Sequence, residues 1–481
     1  MWTRLRLAFA AILLLLLLTA SWGQGVPPTS AQTSAAWVHL DVPPLRLHAL
    51  PHTYAAHHLP DLAREAQASL NRIAARLDMP VTTPLDIYFV ERIFWQGGVA
   101  YGSKVIISWP ARNYLRIPIA AYLDHELTHA LASRLTQPDG ETNALLAEGL
   151  AVWATGGHYG VEPIHHIAAA LARSPNYITI PDLADNLHAY QHETAYIEAG
   201  SFVGYLVETY GLETVKRLYA SANTPERIIG RTYAQLERDW LTWLRPIPND
   251  PAIAHWFDLR VRIFDAMRTY QETFDPAARE LPPEPSNWTA EHVRTYAHTT
   301  QDPFAIVLET LLADINAAHR CGDLDAAESL LQRLTTAMRA RAPTDADLHA
   351  RLETVLAVQN ARRWAQGDPT AAPPTPAVLL WAPLLALAER TGARLTITDL
   401  ATLSPNHAVA TLLIEKRWSD TSLVLQWQTT NTGTKWLITA ITEQTQRSRD
   451  LCTKSPIAST TNRHSRTSTL VWLKPMRASS W

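Results

Sequence analysis

The chain has 481 residues, a formal net charge of −3, and two cysteines, Cys321 and Cys452. That length exceeds one hydrophobic core, so two or three domains are expected, and the near-neutral charge speaks against a nucleic-acid partner or an acidic solvating tail. Two cysteines in distant segments of different character exclude a disulfide framework and a thiolate zinc site, and a single bridge between them is not expected.

Arg4 and Arg6 precede an apolar run from Leu7 to Ala20, and small residues (Ala20, Ser21, Gly23) follow. The pattern reads as an export signal over residues 1–23, which implies a secreted or cell-envelope location. The run is shorter than the roughly 20 residues of a membrane span. A membrane tether therefore follows only if this segment stays uncleaved. Residues 24–36 are rich in Pro, Ser, Thr, Ala and Gln and read as a linker.

Residues 37–246 read as one α+β domain, strands first and helices after. Leu45–Leu50 and Leu85–Val90 read as strands, and Val99–Trp109 as a further extended region. Leu62, Ala66, Leu70, Ile73 and Leu77 recur at helical spacing and predict a helix over Leu59–Leu77. Further helices are predicted at Ile119–Leu135, Asn143–Thr155, Pro163–Arg173, Thr194–Tyr210, Leu212–Ala222 and Tyr233–Leu244. Pro246 and Pro248 mark a boundary. Residues 249–366 read as a helical region, within which Ala313–Leu334 resembles one tetratricopeptide-type hairpin turning at Gly322–Asp323. That region is a candidate surface for a protein partner. After a proline-rich linker, residues 377–445 read as a small α+β module, with a helix over Val378–Arg390 and a three-stranded meander. Residues 446–481 read as a disordered tail.

The chemistry concentrates in His125-Glu126-Leu127-Thr128-His129. On a helix, residues four apart share a face, so both imidazoles can converge on one cation. Glu126 projects about 100° round from His125 and is suited to act as a base on water. Catalytic zinc takes three protein ligands and keeps one position open. Eighteen residues lie between His129 and Glu148, room for a loop and a returning helix. Glu148 stands among Leu145, Leu146, Leu150, Val152 and Trp153, where a lone carboxylate is costly unless paired or bound to a metal. The expected centre is one zinc ion on His125, His129 and Glu148, with Glu126 beside it. Asp124 points to another face and is not nominated. His158, just past the second helix, is a further candidate to face the cleft. His165–His166 is an adjacent pair whose rings diverge.

HExxH followed by a Glu inside an E-G-L-A stretch resembles the gluzincin branch of the zinc metallopeptidases. Ala195–Gly211 and Ile228–Leu244 resemble the shorter peptidase MA-like domains of exported bacterial proteins. The resemblance spans residues 85–246. It implies a zincin-like fold and peptide-bond hydrolysis, with Glu126 as general base. It also implies an oxyanion-steadying group from a following helix, for which Tyr196 fits the pattern and His192 competes. The branch's aminopeptidases carry a G-x-M-E-N segment whose Glu holds the substrate amine. The corresponding segment here, Gly97 to Ile107, has no carboxylate, which argues against amine-anchored exopeptidase action. That segment still suits an edge strand that pairs with an extended peptide or protein substrate. A catalytically inactive peptidase-like scaffold and a zinc hydrolase of a non-peptide substrate are the alternative readings.

Overall fold

The computed structural model describes residues 37–51, 53–93, 96–110, 112–136, 142–221, 225–276, 290, 293, 300–365, 368–371, 394–404, 407–415, 421–431 and 436–447. The expected export signal, both linkers for the most part, the helix over Val378–Arg390 and nearly all of the tail lie outside them. Among the described residues, no helix is long and apolar enough to cross a membrane.

The architecture is α+β, as the order of elements predicts. A five-stranded sheet is built from β1 (Val38–Val42), β2 (Leu45–Ala49), β3 (Leu85–Val90), β4 (Gly98–Tyr101) and β5 (Lys104–Ser108), in the order β1-β2-β3-β5-β4. Strands β2, β3 and β5 are parallel, while β1 and β4 run antiparallel to their neighbours. Leu45, Leu47 and Ala49 alternate into the core, as do Leu85, Ile87 and Phe89. Parallel pairing of β2 with β3 needs a long crossover, supplied by α1 (Leu59–Leu77), whose buried face is Leu62, Ala66, Leu70, Ile73 and Leu77. A tight turn at Gly102 (φ +56°) returns β4 onto β5 and leaves β4 at the sheet's edge.

Against this sheet lies α2 (Ile119–Ala132), with Leu123, Leu127, Ala130 and Leu131 packed on Val105, Ile107 and Trp109. Next come α3 (Ala144–Thr155), α4 (Ile164–Leu171), α5 (Ile180–Asn186), α6 (His192–Tyr210), α7 (Leu212–Ala220) and α8 (Tyr233–Leu244). Helices α3 and α6 approach at small residues. A Cβ added to Gly149 would lie 2.6 Å from the Ala199 carbonyl oxygen. This close approach brings the faces of α3 and α6 that carry Glu148 and Tyr196 together.

The helical region begins with α9 (Pro251–Phe274), whose Ile253, Trp256 and Phe257 pack on Val152, Ile164 and Ile197. Helices α10 (Pro303–Arg320), α11 (Leu324–Ala340) and α12 (Ala346–Ala365) follow. The expected hairpin is present as α10 and α11, with Gly322 (φ +74°) in its turn. Its core continues into Tyr114, Leu115 and Ile117 ahead of α2. A buried ion network joins the end of β3 to these helices. Arg92 is 2.7 Å from Glu309 and 2.5 Å from Asp275, and Arg112 adds a bond of 2.6 Å to Glu309. Cys321, just past α10, is disulfide-bonded. The sequence leaves such a bridge open without favouring it.

The C-terminal strands are β6 (Arg394–Ser404), β7 (His407–Glu415), β8 (Thr421–Asn431) and β9 (Trp436–Arg447), a four-stranded antiparallel meander. Three strands are predicted from sequence. The additional β6 carries a register shift between Ile397 and Asp399, and such a bulge breaks the alternation that marks a strand.

Candidate functional site

Helix α2 starts after Pro118 and carries His125, Glu126 and His129 on its cleft side. Helix α3 starts at Asn143, whose side chain accepts the Leu145 N–H at 2.7 Å, and ends at Gly156 in the left-handed conformation. The antiparallel return brings Glu148 over the two imidazoles. His125 Nε2 and His129 Nε2 are 3.1 Å apart, and Glu148 Oε2 lies 3.2 Å from the first and 3.3 Å from the second. The three atoms form a nearly equilateral triangle. A tetrahedral zinc site with ligand bonds of about 2.0–2.1 Å has donor–donor edges of about 3.3–3.4 Å. The donor set and its spacing therefore fit such an ion.

The electrostatics agree with a cation-binding role. Burial lowers the His125 pKa. Burial acts in the same sense on His129, but the charge of Glu148, with that of Glu126, outweighs it and lifts His129 to about 9. Against burial, the two imidazoles hold Glu148 well below the usual carboxylate range.

Glu126, 6 % exposed, stands next to the triangle and under the edge strand. Burial, with Glu148 nearby, pushes its carboxyl up to about 8, and His129 opposes this. A Cβ on Gly98 of β4 would sit 2.6 Å from Glu126 Oε1, so the strand's bare backbone forms one wall of this carboxylate's site.

Tyr196, in the first turns of α6, stacks at 6.3 Å on His125. Burial, with the neighbouring carboxylate of Glu148, holds its phenol well above 10, and it remains a neutral O–H donor. His192 stands edge-on to Tyr196 at 4.1 Å and packs on Phe264, one row back from the triangle. Asp124 pairs instead with Arg72 of α1 at 2.9 Å. His165 turns away from the triangle, its Nδ1 2.9 Å from Ser201 Oγ. His158 is drawn to the cleft, 6.1 Å from His125 and 4.5 Å from Tyr196 between ring centroids.

Four residues at or behind the site have no mark in a motif: Gly98, Tyr159, Glu193 and Arg260. Glu193 had one available signal, since it lies one helical turn before Tyr196 on the same face. Arg260 is 67 positions from its partner Glu193, and nothing local marks it.

Residues 66–245 match the model of the Peptidase MA superfamily, from within α1 through α8. No curated protein matches the chain. The match is consistent with a gluzincin-like peptidase domain over that segment and supports a peptidase-like function for it. The superfamily is usually zinc-dependent, and the His125, His129 and Glu148 group could hold a metal ion.

Proposed function

We propose that this peptidase MA domain is an exported zinc metallopeptidase of gluzincin type, with His125, His129 and Glu148 as ligands and Glu126 as general base. The donor triangle with edges of 3.1–3.3 Å carries the reading. When bound, zinc supplies Lewis-acid polarisation of a scissile carbonyl and acidifies an attacking water. Glu126 accepts the proton of that water and passes it to the leaving amine. A carboxyl raised towards neutrality suits a group that must both take and return a proton. Tyr196 donates its O–H to the developing oxyanion, and its phenol keeps the proton throughout. The backbone of β4 pairs with the extended peptide, which lays the scissile bond across Glu126. The apolar segment Leu7–Ala20 supports export, and a peptide or protein is the substrate class.

The test is Glu126→Gln. The variant should bind zinc as the wild type does and lose hydrolysis of a mixed peptide library by at least about a thousandfold, the upper range for general acid–base groups. Wild-type turnover in that variant would remove Glu126 from the chemistry.

A further inference from the structure

Behind the triangle stands a polar cluster that the proposed chemistry does not use. Its centre is His158, 8 % exposed, in the tight loop after α3. Its Nδ1 lies 3.3 Å from Glu193 Oε1 yet makes no aligned hydrogen bond. Glu193 is fully buried, accepts the Tyr159 hydroxyl at 2.8 Å, and accepts Arg260 Nε at 2.5 Å. Arg260 Nη1 donates at 2.6 Å to Glu162, whose other oxygen accepts the His158 backbone N–H at 2.9 Å. One guanidinium thus grips both carboxylates that fix His158, one beside its ring and the other at its backbone. Only a planar fork of donors can do this from a single side chain.

Arg260 belongs to α9, beyond the segment 66–245 that matches the peptidase family. His158, His192 and Glu193 have the spacing of a second metal site. Arg260 already balances Glu193, and both of its oxygens are engaged, so a second divalent ion would meet a fixed positive charge at close range. The cluster is better suited to orient an imidazole than to hold a metal.

We propose that α9 completes the active site: Arg260, through Glu193 and Glu162, fixes His158 as a second donor to the substrate oxyanion, beside Tyr196. With Nδ1 turned to Glu193, Nε2 is the nitrogen left to meet substrate. The donor this role requires is the Nε2–H of the ring. Arg260 is then a positioning residue and His158 a catalytic one, and the inference rests on the peptidase reading.

The experiment uses the zinc-loaded full chain and four variants: His158→Ala, Arg260→Met, Arg260→Lys and Arg262→Met. Arg262 lies on the same helix but pairs with Glu328 at the surface, and serves as control. Zinc content, melting temperature, kcat and KM are measured, with calorimetric binding of a phosphonate tripeptide that mimics the tetrahedral oxyanion. His158→Ala should lower kcat about a hundredfold with little change in KM, the usual cost of one oxyanion donor. Phosphonate affinity should fall by a similar factor, with one zinc per chain retained. Arg260→Met should follow it, Arg260→Lys should recover part, and Arg262→Met should change nothing. Should Arg260→Met fail to fold, His158→Ala and Glu193→Gln carry the test. Wild-type kcat and phosphonate affinity in these variants would overturn the inference alone, as would a second zinc lost in His158→Ala. A wild type that binds neither zinc nor phosphonate would instead bring down the peptidase reading, and the inference with it.

Discussion

Replacing Gly98 with alanine perturbs Glu126 without touching a metal ligand. The added Cβ would lie 2.6 Å from Oε1, 2.8 Å from Cγ and 2.9 Å from Cδ of Glu126, all well inside ordinary contact. Gly98 is not in the left-handed backbone region, so alanine meets no conformational strain there and the side-chain clash dominates. Reaching an ordinary separation of 3.4 Å requires the carboxylate to retreat by roughly 0.8 Å. Misplacing a reacting group by about 1 Å costs on the order of 10²-fold in rate. The expected result is therefore a kcat reduced about a hundredfold, with zinc content unchanged and KM altered little. A quenched fluorescent peptide gives kcat and KM, and elemental analysis gives zinc. Gly98→Ala with full zinc and kcat within about threefold of wild type would show that the carboxylate is free to move or is not the base.

Tyr196→Phe removes a neutral donor and leaves the ring, so kcat should drop by about 10²-fold with zinc retained; unchanged kcat would assign the oxyanion to other groups. Glu309→Ala leaves the buried Arg92 with Asp275 as its remaining carboxylate partner, and should cost about 1–3 kcal/mol in denaturant unfolding; a loss under about 1 kcal/mol would mean that Asp275 or water makes good the lost contact. His319 is 4 % exposed, and burial lowers its pKa to about 4, opposed by its bond to the Trp256 carbonyl. The unfolded chain, with His near 6.5, then binds the extra proton between pH 6.5 and 4. Stability is complete above that window and falls as pH drops through it, by about 3 kcal/mol for this group. His319→Gln should flatten that slope, and an identical slope in the variant would exonerate His319.

Much of the site was legible because its chemistry is local. His125 and His129 share a helix face by spacing alone, and Glu148 stands out as a carboxylate in an apolar helix. The strand at Leu85–Val90 and the long helices follow from period and punctuation, whereas the extended region Val99–Trp109 proves to be two strands, β4 and β5, divided by the turn at Gly102. Where the reading fell short, the cause is tertiary. The alternation of Val38, Leu40 and Val42 is too brief beside a linker to separate β1 from a loop. Helix α5 spans only Ile180–Asn186, about two turns, too short for a periodic signal. The bulge in β6 hides its pattern. Gly98 against Glu126, and Arg260 against Glu193 and Glu162, are meetings of distant segments. No periodicity encodes them, and they decide how tightly the cleft is organised.

The most direct test loads the purified chain with zinc and measures stoichiometry, affinity and the X-ray absorption of the bound metal, in wild type and in Glu148→Ala. The expected result is one zinc per chain with two imidazole nitrogens and a carboxylate oxygen at about 2.0–2.1 Å, and a loss of affinity of at least about tenfold in the variant. Equal zinc binding by wild type and Glu148→Ala, or a wild type that takes up no zinc, would contradict a metal centre at this triangle.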